Sequence, residues 1–249
     1  MGRFASTAQF YGRYREPYPA EFFRAVAVRL GITGRERLVD AACGPGLLAI
    51  GFAPFVGSAV GVDPEPNMIA AAKVAAGEAG VRIEWLQGRM EDVGERLGSA
   101  DLVTIGRALH WLPRERTLAV LDRLLCKNGW IAICGSLTAE SSINRWAATF
   151  HEIRRAWSSD PHERRYRVRP NGWFAGSRFR KAGEIAVTYR HAVTVPDLIG
   201  RALSLSTTSP AVLGHRRRGF EKALREGLEP FAVGGVVREE IVARATIFR

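Results

Sequence analysis

The most informative stretch of this sequence is Val39-Asp40-Ala41-Ala42-Cys43-Gly44-Pro45-Gly46, which runs from an apolar segment into a glycine-rich turn. Directly after it, Leu47-Leu48-Ala49-Ile50 begins another apolar run. Glycines at 44 and 46 remove Cβ atoms where the backbone must turn tightly, and they let a ligand lie against the backbone. The stretch therefore predicts a strand, a tight turn and a helix, with a candidate ligand site at the turn. A plain tight turn without a ligand is the alternative.

An acidic residue downstream favours a nucleoside as that ligand. The next apolar run, Ala59-Val60-Gly61-Val62, ends in Asp63. A carboxylate at the carboxyl edge of a parallel sheet can accept hydrogen bonds from both hydroxyls of a ribose. A dinucleotide site would want a third spaced glycine, and Leu48 and Ile50 occupy the region where it would help. The sequence thus disfavours an NAD-type oxidoreductase, which nicotinamide in the purified protein would reveal.

The alternation of strand-like and helical segments around this stretch predicts a parallel α/β sheet. Helical patterns at 67–79 and 113–127 separate strand-like runs, and the second pattern stops at Asn128-Gly129. Alternating strands and helices are typical of parallel sheets with right-handed crossovers. The strand-like runs are 37–42, 59–63, 81–86, 101–105 and 130–134.

The whole chain is predicted to form one domain, residues 1–249, with a doubly wound, mainly parallel, seven-stranded Rossmann-like sheet. Residues 184–195 and 239–248 alternate like strands and are predicted to form an antiparallel C-terminal hairpin. The predicted parts are an N-terminal flap and helix (1–30), a cofactor-binding core (37–135), a helical lid insertion (136–180) and a C-terminal part of the sheet with helices (181–249).

Composition predicts an ordinary globular protein. The chain has 249 residues, of which 47% are hydrophobic and 24% charged. No run approaches the roughly 18 apolar residues that cross a bilayer, and the start lacks an apolar signal core, so we expect a cytoplasmic protein without membrane contact. The three cysteines form no CxxC pair and the histidines show no ligand spacing. No metal is predicted.

The net charge of +11 suggests a nucleic-acid partner, but the amino-acid composition behind that charge weakens the hypothesis. Arg outnumbers Lys 32 to 4, a bias typical of GC-rich codon usage. Up to residue 135 there are 16 basic and 14 acidic residues, and beyond it 20 and 11. Any anionic partner would meet the second half, yet its clusters at 164–169 and 215–218 lie in no known nucleic-acid module. A nucleic-acid partner is not favoured.

Several motifs, in order, carry a family resemblance. The pattern Asp-x-x-Cys-Gly-x-Gly resembles the cofactor loop of the class I, Rossmann-like, S-adenosylmethionine-dependent methyltransferases. Residues 61–69 resemble the acidic ribose segment of that family, 88–92 its adenine segment and 101–104 its fourth strand. The resemblance spans residues 37–135.

A narrower resemblance covers the ends of this region. The lead Tyr14-Arg15-Glu16-Pro17-Tyr18-Pro19, after residues 4–11, and the segment Ala108-Leu109-His110-Trp111-Leu112 are similar to small-molecule methyltransferases of the type-11 group. That group shares a Tyr-Arg-Pro-x-Tyr-Pro lead and a His-Trp pair after the fourth strand. This chain departs from it by the insertion of Glu16 and by Arg89, where relatives often carry a small or acidic residue.

The resemblance implies S-adenosylmethionine as cofactor and S-adenosylhomocysteine as product. The resemblance also implies a role for each matched residue. Asp40, Gly44 and Gly46 lie along the methionine portion, and Asp63 binds the ribose; Met68 flanks the adenine, and Met90 offers it a backbone amide with Glu91 nearby. Tyr11 and Arg15 close over the cofactor, and Arg15 pairs with the cofactor carboxylate. The alternative for the two methionines is that they only fill the core. The alternative for residues 11–15 is a solvated N-terminal arm.

Catalysis is predicted to rest on proximity, with proton removal by His110. His110 follows the fourth strand, and its ordinary pKa near 6.5 suits a general base. If the segment is helical, Arg107 shares a face with His110 and orients the acceptor. A structural or cofactor-edge histidine is the alternative.

The predicted function is methyl transfer to a small molecule, such as an aromatic or secondary-metabolite acceptor. An RNA methyltransferase, or a methyltransferase-fold protein with a non-methylating role, stays as an alternative, and a homodimer stays open.

Overall fold

Seven strands form the sheet in a computed structural model that describes residues 12, 14–158 and 168–249. They are β1 (Arg37–Ala41), β2 (Ser58–Asp63), β3 (Glu84–Gln87), β4 (Ala100–Gly106), β5 (Leu125–Thr138), β6 (Lys181–Thr194) and β7 (Val236–Phe248). Their order across the sheet is β3-β2-β1-β4-β5-β7-β6. The first five pair in parallel.

The C-terminal strands form an antiparallel hairpin. The backbones of Arg180 and Arg249 exchange two hydrogen bonds, at 2.8 and 3.0 Å, beside β6 and β7, which is the reciprocal pattern of antiparallel pairs. The predicted doubly wound, mainly parallel sheet with this hairpin is therefore confirmed.

Helices connect the strands. They are α1 (Ala20–Leu30), α2 (Leu47–Phe52), α3 (Pro66–Glu78), α4 (Met90–Val93), α5 (Arg114–Leu124), α6 (Ala147–Trp157), α7 (Pro170–Trp173), α8 (Val195–Leu203), α9 (Pro210–Leu213) and α10 (Arg217–Leu228). α1 buries Phe22, Phe23, Val26 and Leu30, as its helical spacing predicts. Among the described helices, none has both the length and the apolar character needed to span a membrane.

The chain divides into two compact units. Within the described residues, the sheet unit comprises 18–135, 168–187 and 243–249, and the helical unit comprises 12, 14–17, 136–158 and 188–242. In the sheet unit, neighbouring residues of β1 point into different apolar clusters, Leu38 into one and Val39 into the other. This alternation packs helices against both faces of the sheet. The single-domain boundaries stay a prediction.

A buried ion pair organises the helical unit. Arg201 donates two hydrogen bonds to Glu239, at 2.6 and 2.8 Å, and Thr138 and His191 each bond to the same carboxylate at 2.9 Å. Burial alone would raise the pKa of Glu239, but the bonds from His191 and Arg201 and the charge of Arg201 lower it to about 2. Glu239 is therefore a stable anion inside this unit.

Side chains of the helical unit hold the backbone of residues 14–17. Arg201 Nε donates to the carbonyl oxygen of Tyr14 at 3.1 Å, Ser136 Oγ to that of Glu16 at 2.8 Å, and Tyr189 Oη to that of Pro17 at 2.7 Å. The last residues of the predicted flap are thus fixed within this unit.

Three predicted element boundaries are wrong. The third strand begins at Glu84 rather than 81, because the N–H of Val81 bonds to Ala76 and closes the end of α3. The helix expected at 113–127 ends at Leu124, since Leu125 already pairs with Ala100 as the start of β5. β5 also runs to Thr138, so the first residues of the predicted lid insertion are strand. Residues 159–167 of that insertion lie outside the described residues.

Candidate functional site

The candidate site lies in the sheet unit, at the carboxyl edge where β1 has parallel neighbours on both sides, β2 and β4. In doubly wound sheets the connections leave in opposite directions at such a switch point, which opens a crevice outside the strand ends. Ala42 after β1 and Arg107 after β4 both have positive φ, of 52° and 54°. Both strands therefore end in sharp, left-handed turns at this edge.

Asp63, at the end of β2, holds the glycine turn in place. Its carboxylate accepts the N–H of Gly44 at 2.8 Å and that of Glu65 at 2.9 Å. Burial raises the pKa of Asp63 even though these two bonds lower it. A carboxylate has about four lone-pair positions, so Asp63 can still accept hydroxyl donors from a ligand. Its placement fits the predicted ribose contact.

The glycine turn leaves room for a ligand at Gly44. Gly44 has a φ of +54°, and no atom of the described residues outside 43–45 lies within 4 Å of the position that a Cβ would take there. Gly46 differs, because Trp85 Cη2 lies 2.5 Å from its Cβ position. The backbone at Gly44 is therefore open to close approach, while at Gly46 the missing side chain accommodates a tryptophan.

Asp40 supports the glycine turn through hydrogen bonds to the neighbouring elements. It is 1% exposed, and its carboxylate accepts the hydroxyl of Thr104 at 2.8 Å and the N–H of Ala49 at 3.1 Å. These bonds tie β1 to β4 and to the first turn of α2. Burial raises the pKa of Asp40 to about 7, against the lowering effect of both bonds. Both carboxylate oxygens are thus engaged inside the protein, beside the loop rather than in it.

The segment expected at the adenine is connected to Asp63. The N–H of Gly88 bonds to the Asp63 carbonyl oxygen at 3.0 Å. Met68 and Met90 are buried at the starts of α3 and α4, and burial suits both a cofactor wall and a core filler. Glu91 accepts a hydrogen bond of 2.5 Å from the Thr117 hydroxyl, which links α4 to α5.

Arg107 and Tyr18 come together at the end of β4. The Arg107 guanidinium carbon lies 4.8 Å from the centroid of the Tyr18 ring, within cation–π distance, and the Arg107 N–H bonds to the Cys134 carbonyl at 3.0 Å. Tyr18 Oη lies 3.8 Å from the Cβ position of Gly106. Tyr18 belongs to the lead motif at residues 14–19, and no role of its own was predicted for it.

His110 lies in a short 3-10 turn, Leu109–Trp111, and is half-buried. Its ring centroid is 4.9 Å from that of Trp111, which is 39% exposed. The helical turn that would place Arg107 and His110 on one face does not form, because the backbone at Arg107 is left-handed. The condition under which the two side chains would share a face is therefore not met, and the catalytic roles of the two residues stay predictions.

Neither of the two flap residues predicted to cover the cofactor, Tyr11 and Arg15, is among the described residues of the sheet unit. Tyr11 lies outside the described residues. Arg15 belongs to the helical unit, where its Nη2 bonds to the Ser204 carbonyl oxygen at 3.4 Å. Their predicted contacts with the cofactor stay predictions.

Trp85 is the site-forming residue that sequence reasoning missed. Its signal was Gly61, a glycine in the middle of a central strand, which often marks close approach by another group. Gly61 is paired in register with Trp85, and the indole occupies the space where a Gly61 side chain would lie.

Comparison with known proteins agrees with this geometry. A family model described as "Methyltransferase domain" matches residues 39–133. A ubiquinone biosynthesis O-methyltransferase from Xanthomonas euvesicatoria is 29% identical over 67% of this chain and 65% of its own. The chain spans between 25% and 65% of the length of the first three curated relatives it matches.

Solved structures share the fold. A protein proposed to be a type II methyltransferase, from Anaeromyxobacter dehalogenans, matches with a TM-score of 0.64 at 18% identity, over 94% of this chain and 97% of the other. An S-adenosylmethionine-dependent methyltransferase from Thiobacillus denitrificans, in complex with S-adenosylhomocysteine, matches with a TM-score of 0.53 at 14% identity, over 100% and 98%. The methyltransferase-domain match runs from β1 and the glycine turn to β5, and the solved structures show that the chain has the Rossmann-like fold of S-adenosylmethionine-dependent methyltransferases.

Proposed function

We propose that this protein transfers a methyl group from S-adenosylmethionine to a small-molecule acceptor. The observation that carries the proposal is the bond from Gly44 to Asp63, which fixes a glycine turn with an open side next to a carboxylate at the switch point of the sheet. The relatives named ubiquinone biosynthesis O-methyltransferase support an acceptor of small-molecule size. An aromatic acceptor suits the exposed indole of Trp111.

The residues of this site would divide the work of binding. Asp63 would accept the ribose hydroxyls, and the backbone at Gly44 would lie along the methionine portion. Asp40 and Gly46 would keep that backbone in place, Met68, Met90 and Glu91 would border the adenine, and Tyr11 and Arg15 would cover the cofactor. When bound, S-adenosylmethionine supplies a reactive methyl group on a positively charged sulfur. The protein's task is then to align the acceptor and exclude water.

An acceptor hydroxyl or amine must also lose a proton. His110 Nε2 or Nδ1 would take it, because a neutral imidazole has one unprotonated nitrogen that can accept a proton. Arg107 would orient the acceptor and stabilise negative charge that develops on it, with a guanidinium held over Tyr18.

Calorimetric titration with S-adenosylhomocysteine tests the proposal. The wild type should bind, and Asp63→Ala should raise Kd about 10- to 100-fold, since charge-assisted hydrogen bonds contribute roughly 1.5 to 3 kcal/mol. The matched control is Asp101→Ala. Asp101 also accepts a backbone N–H, that of Arg37 at 2.9 Å, but at the opposite, amino end of β1.

The control should bind as the wild type does. No binding by the wild type, or an equal Kd in Asp63→Ala, would remove the proposed cofactor site.

A further inference from the structure

We propose that Trp85 is a positioning residue for the cofactor loop, its indole forming the floor on which residues 43–46 rest. The inference rests on the proposed function, because it assigns Trp85 a part in binding S-adenosylmethionine at the same site. Trp85 itself touches the loop rather than the open side at Gly44.

The first observation is in the sheet. Gly61 of β2 pairs in register with Trp85 of β3, and the indole crosses over Gly61 so closely that any Cβ there would collide with Trp85 Cζ3 and Cε3. Gly61 has no positive φ, so backbone conformation does not demand glycine at this position. The position of the Trp85 indole is what requires glycine at 61.

The second observation is in the loop. The far end of the same ring reaches Gly46, where Trp85 Cη2 and Cζ3 lie 2.5 and 3.2 Å from the Cβ position, and Ala72 of α3 lies 3.3 Å from it. Gly46 thus sits on a surface formed by Trp85 and Ala72. One side chain therefore contacts two glycines. At Gly61 it accounts for the glycine, whereas the φ of +82° at Gly46 favours glycine there in any case.

The loop transmits this support to the binding groups. The N–H of Gly46 bonds to the Cys43 carbonyl at 3.0 Å. Pro45 has no N–H, and the next one toward the N-terminus, that of Gly44, bonds to Asp63. A cavity beneath Gly46 would let this short turn sink, because large-to-small substitutions are only partly filled by relaxation. Sinking would turn the Gly44 N–H away from Asp63 and misalign the groups that hold the ribose.

The deciding experiment is Trp85→Leu, measured by calorimetry with S-adenosylhomocysteine and by steady-state kinetics. Displacing a binding group by about 1 Å has large effects on affinity, so we expect Kd and the KM for S-adenosylmethionine to rise at least about tenfold. The kcat at saturating cofactor should stay within about twofold, because the acceptor side is not altered.

The matched control is Trp130→Leu. Trp130 is also a half-buried tryptophan in a strand of the sheet, but it lies on β5 beneath the Arg249 guanidinium, at 4.6 Å. It should lose thermal stability without changing Kd. Equal rises in Kd for both variants would mean that general destabilisation, not loop support, explains the effect, and would overturn the inference.

A second pair of variants tests the contact itself. Gly61→Ala should lower Tm in the wild-type background, and much less in the Trp85→Leu background, where the colliding ring is gone. If Trp85→Leu does not fold, Trp85→Phe replaces it, because the shorter ring no longer reaches Gly46 and should raise Kd in the same way. Equal Tm losses in both backgrounds would contradict the contact.

The outcomes separate this inference from the proposed function. If the wild type fails to bind S-adenosylhomocysteine, the proposed function fails and the inference with it. If the wild type binds and Trp85→Leu binds equally well, the inference alone is overturned.

Discussion

Arg107 is held in a backbone conformation that few non-glycine residues adopt. A φ of +54° costs on the order of 1 to 3 kcal/mol outside glycine, so neighbouring contacts must stabilise it. The bond to the Cys134 carbonyl and the Tyr18 ring under the guanidinium provide such contacts. Strain of this kind concentrates at functional sites, which supports a role for Arg107 at this edge.

At the same scale, we expect His110→Ala to lower the single-turnover methylation rate at least about 100-fold with little change in S-adenosylhomocysteine affinity. Positioned proton transfer typically contributes ~10² to 10⁴ in rate. Arg107→Lys should lower the rate too, because a point charge does not reproduce the planar guanidinium. Rapid-quench kinetics with saturating cofactor measures both.

His215→Ala is the control for these variants, since His215 also lies in a 3-10 turn, Gly214–Arg216, but in the helical unit. Its rate should equal that of the wild type. If His110→Ala instead weakens the cofactor and spares the saturated rate, His110 belongs to the cofactor pocket and catalysis is by proximity alone.

Among elements, Asp40 joins β1, β4 and α2. We expect Asp40→Asn to bind S-adenosylhomocysteine within about twofold of the wild type at pH 8, because Oδ1 can accept the Ala49 N–H while Nδ2 donates to the Thr104 hydroxyl. Asp40→Ala orphans buried groups at about 1 to 3 kcal/mol each and should weaken binding and lower Tm. Calorimetry and thermal unfolding check this.

A loss of affinity in Asp40→Asn equal to that in Asp40→Ala would contradict the bracing role. It would mean that the Asp40 charge acts on the cofactor directly.

Elements whose signals are local were predictable from sequence. The turn at 44–46 and Asp63 were found because strand, glycines and acid follow one another along the chain. The start of β5 at Leu125 was missed because pairing with Ala100, a tertiary contact, overrides the helical pattern there. Trp85 was missed for the same reason: only the register of β2 with β3 brings it to Gly61.

Roles that came from resemblance could be placed only in part. Asp63 accepts the N–H of Gly44, while its contact with the ribose stays a prediction, and Arg107 and His110 do not share a helical face. A single positive φ at Arg107 decides this, and nothing in residues 106–111 requires a non-glycine residue to adopt it.

At the scale of the whole molecule, the two units carry buried carboxyls with opposite pKa shifts. Burial raises the pKa of Asp40 in the sheet unit from 3.8 to about 7. The native state then binds a proton that the unfolded chain has released, so the contribution to stability is complete below pH 3.8 and is lost as pH rises to about 7. Glu239 in the helical unit, despite its burial, has its pKa lowered from 4.5 to about 2. Its contribution is present above pH 4.5 and is lost as pH falls toward 2.

We therefore expect acid to loosen the helical unit first. Hydrogen exchange, corrected for intrinsic rates, should show that protection of residues 188–242 falls between pH 5 and pH 3 by roughly tenfold or more. Over the same interval, protection of β1 and β4 should hold or rise. Glu239→Gln should abolish the loss in the helical unit, although its basal stability will be lower.

Glu226→Gln is the control, because Glu226 is exposed on α10 in the same unit. It should behave as the wild type. Parallel loss of protection in both units between pH 5 and pH 3 would contradict the assignment of these two carboxyls.

The fit of one indole against two glycines also constrains the order in which this sequence could have arisen. Because a Cβ at position 61 collides with Trp85, a lineage could accept the tryptophan only after Gly61 was already present. With the tryptophan in place, reversion at 61 is costly, so a glycine that was neutral before would become entrenched. This is sign epistasis between neighbouring strands, and in ancestral reconstructions of this lineage Gly61 should precede Trp85.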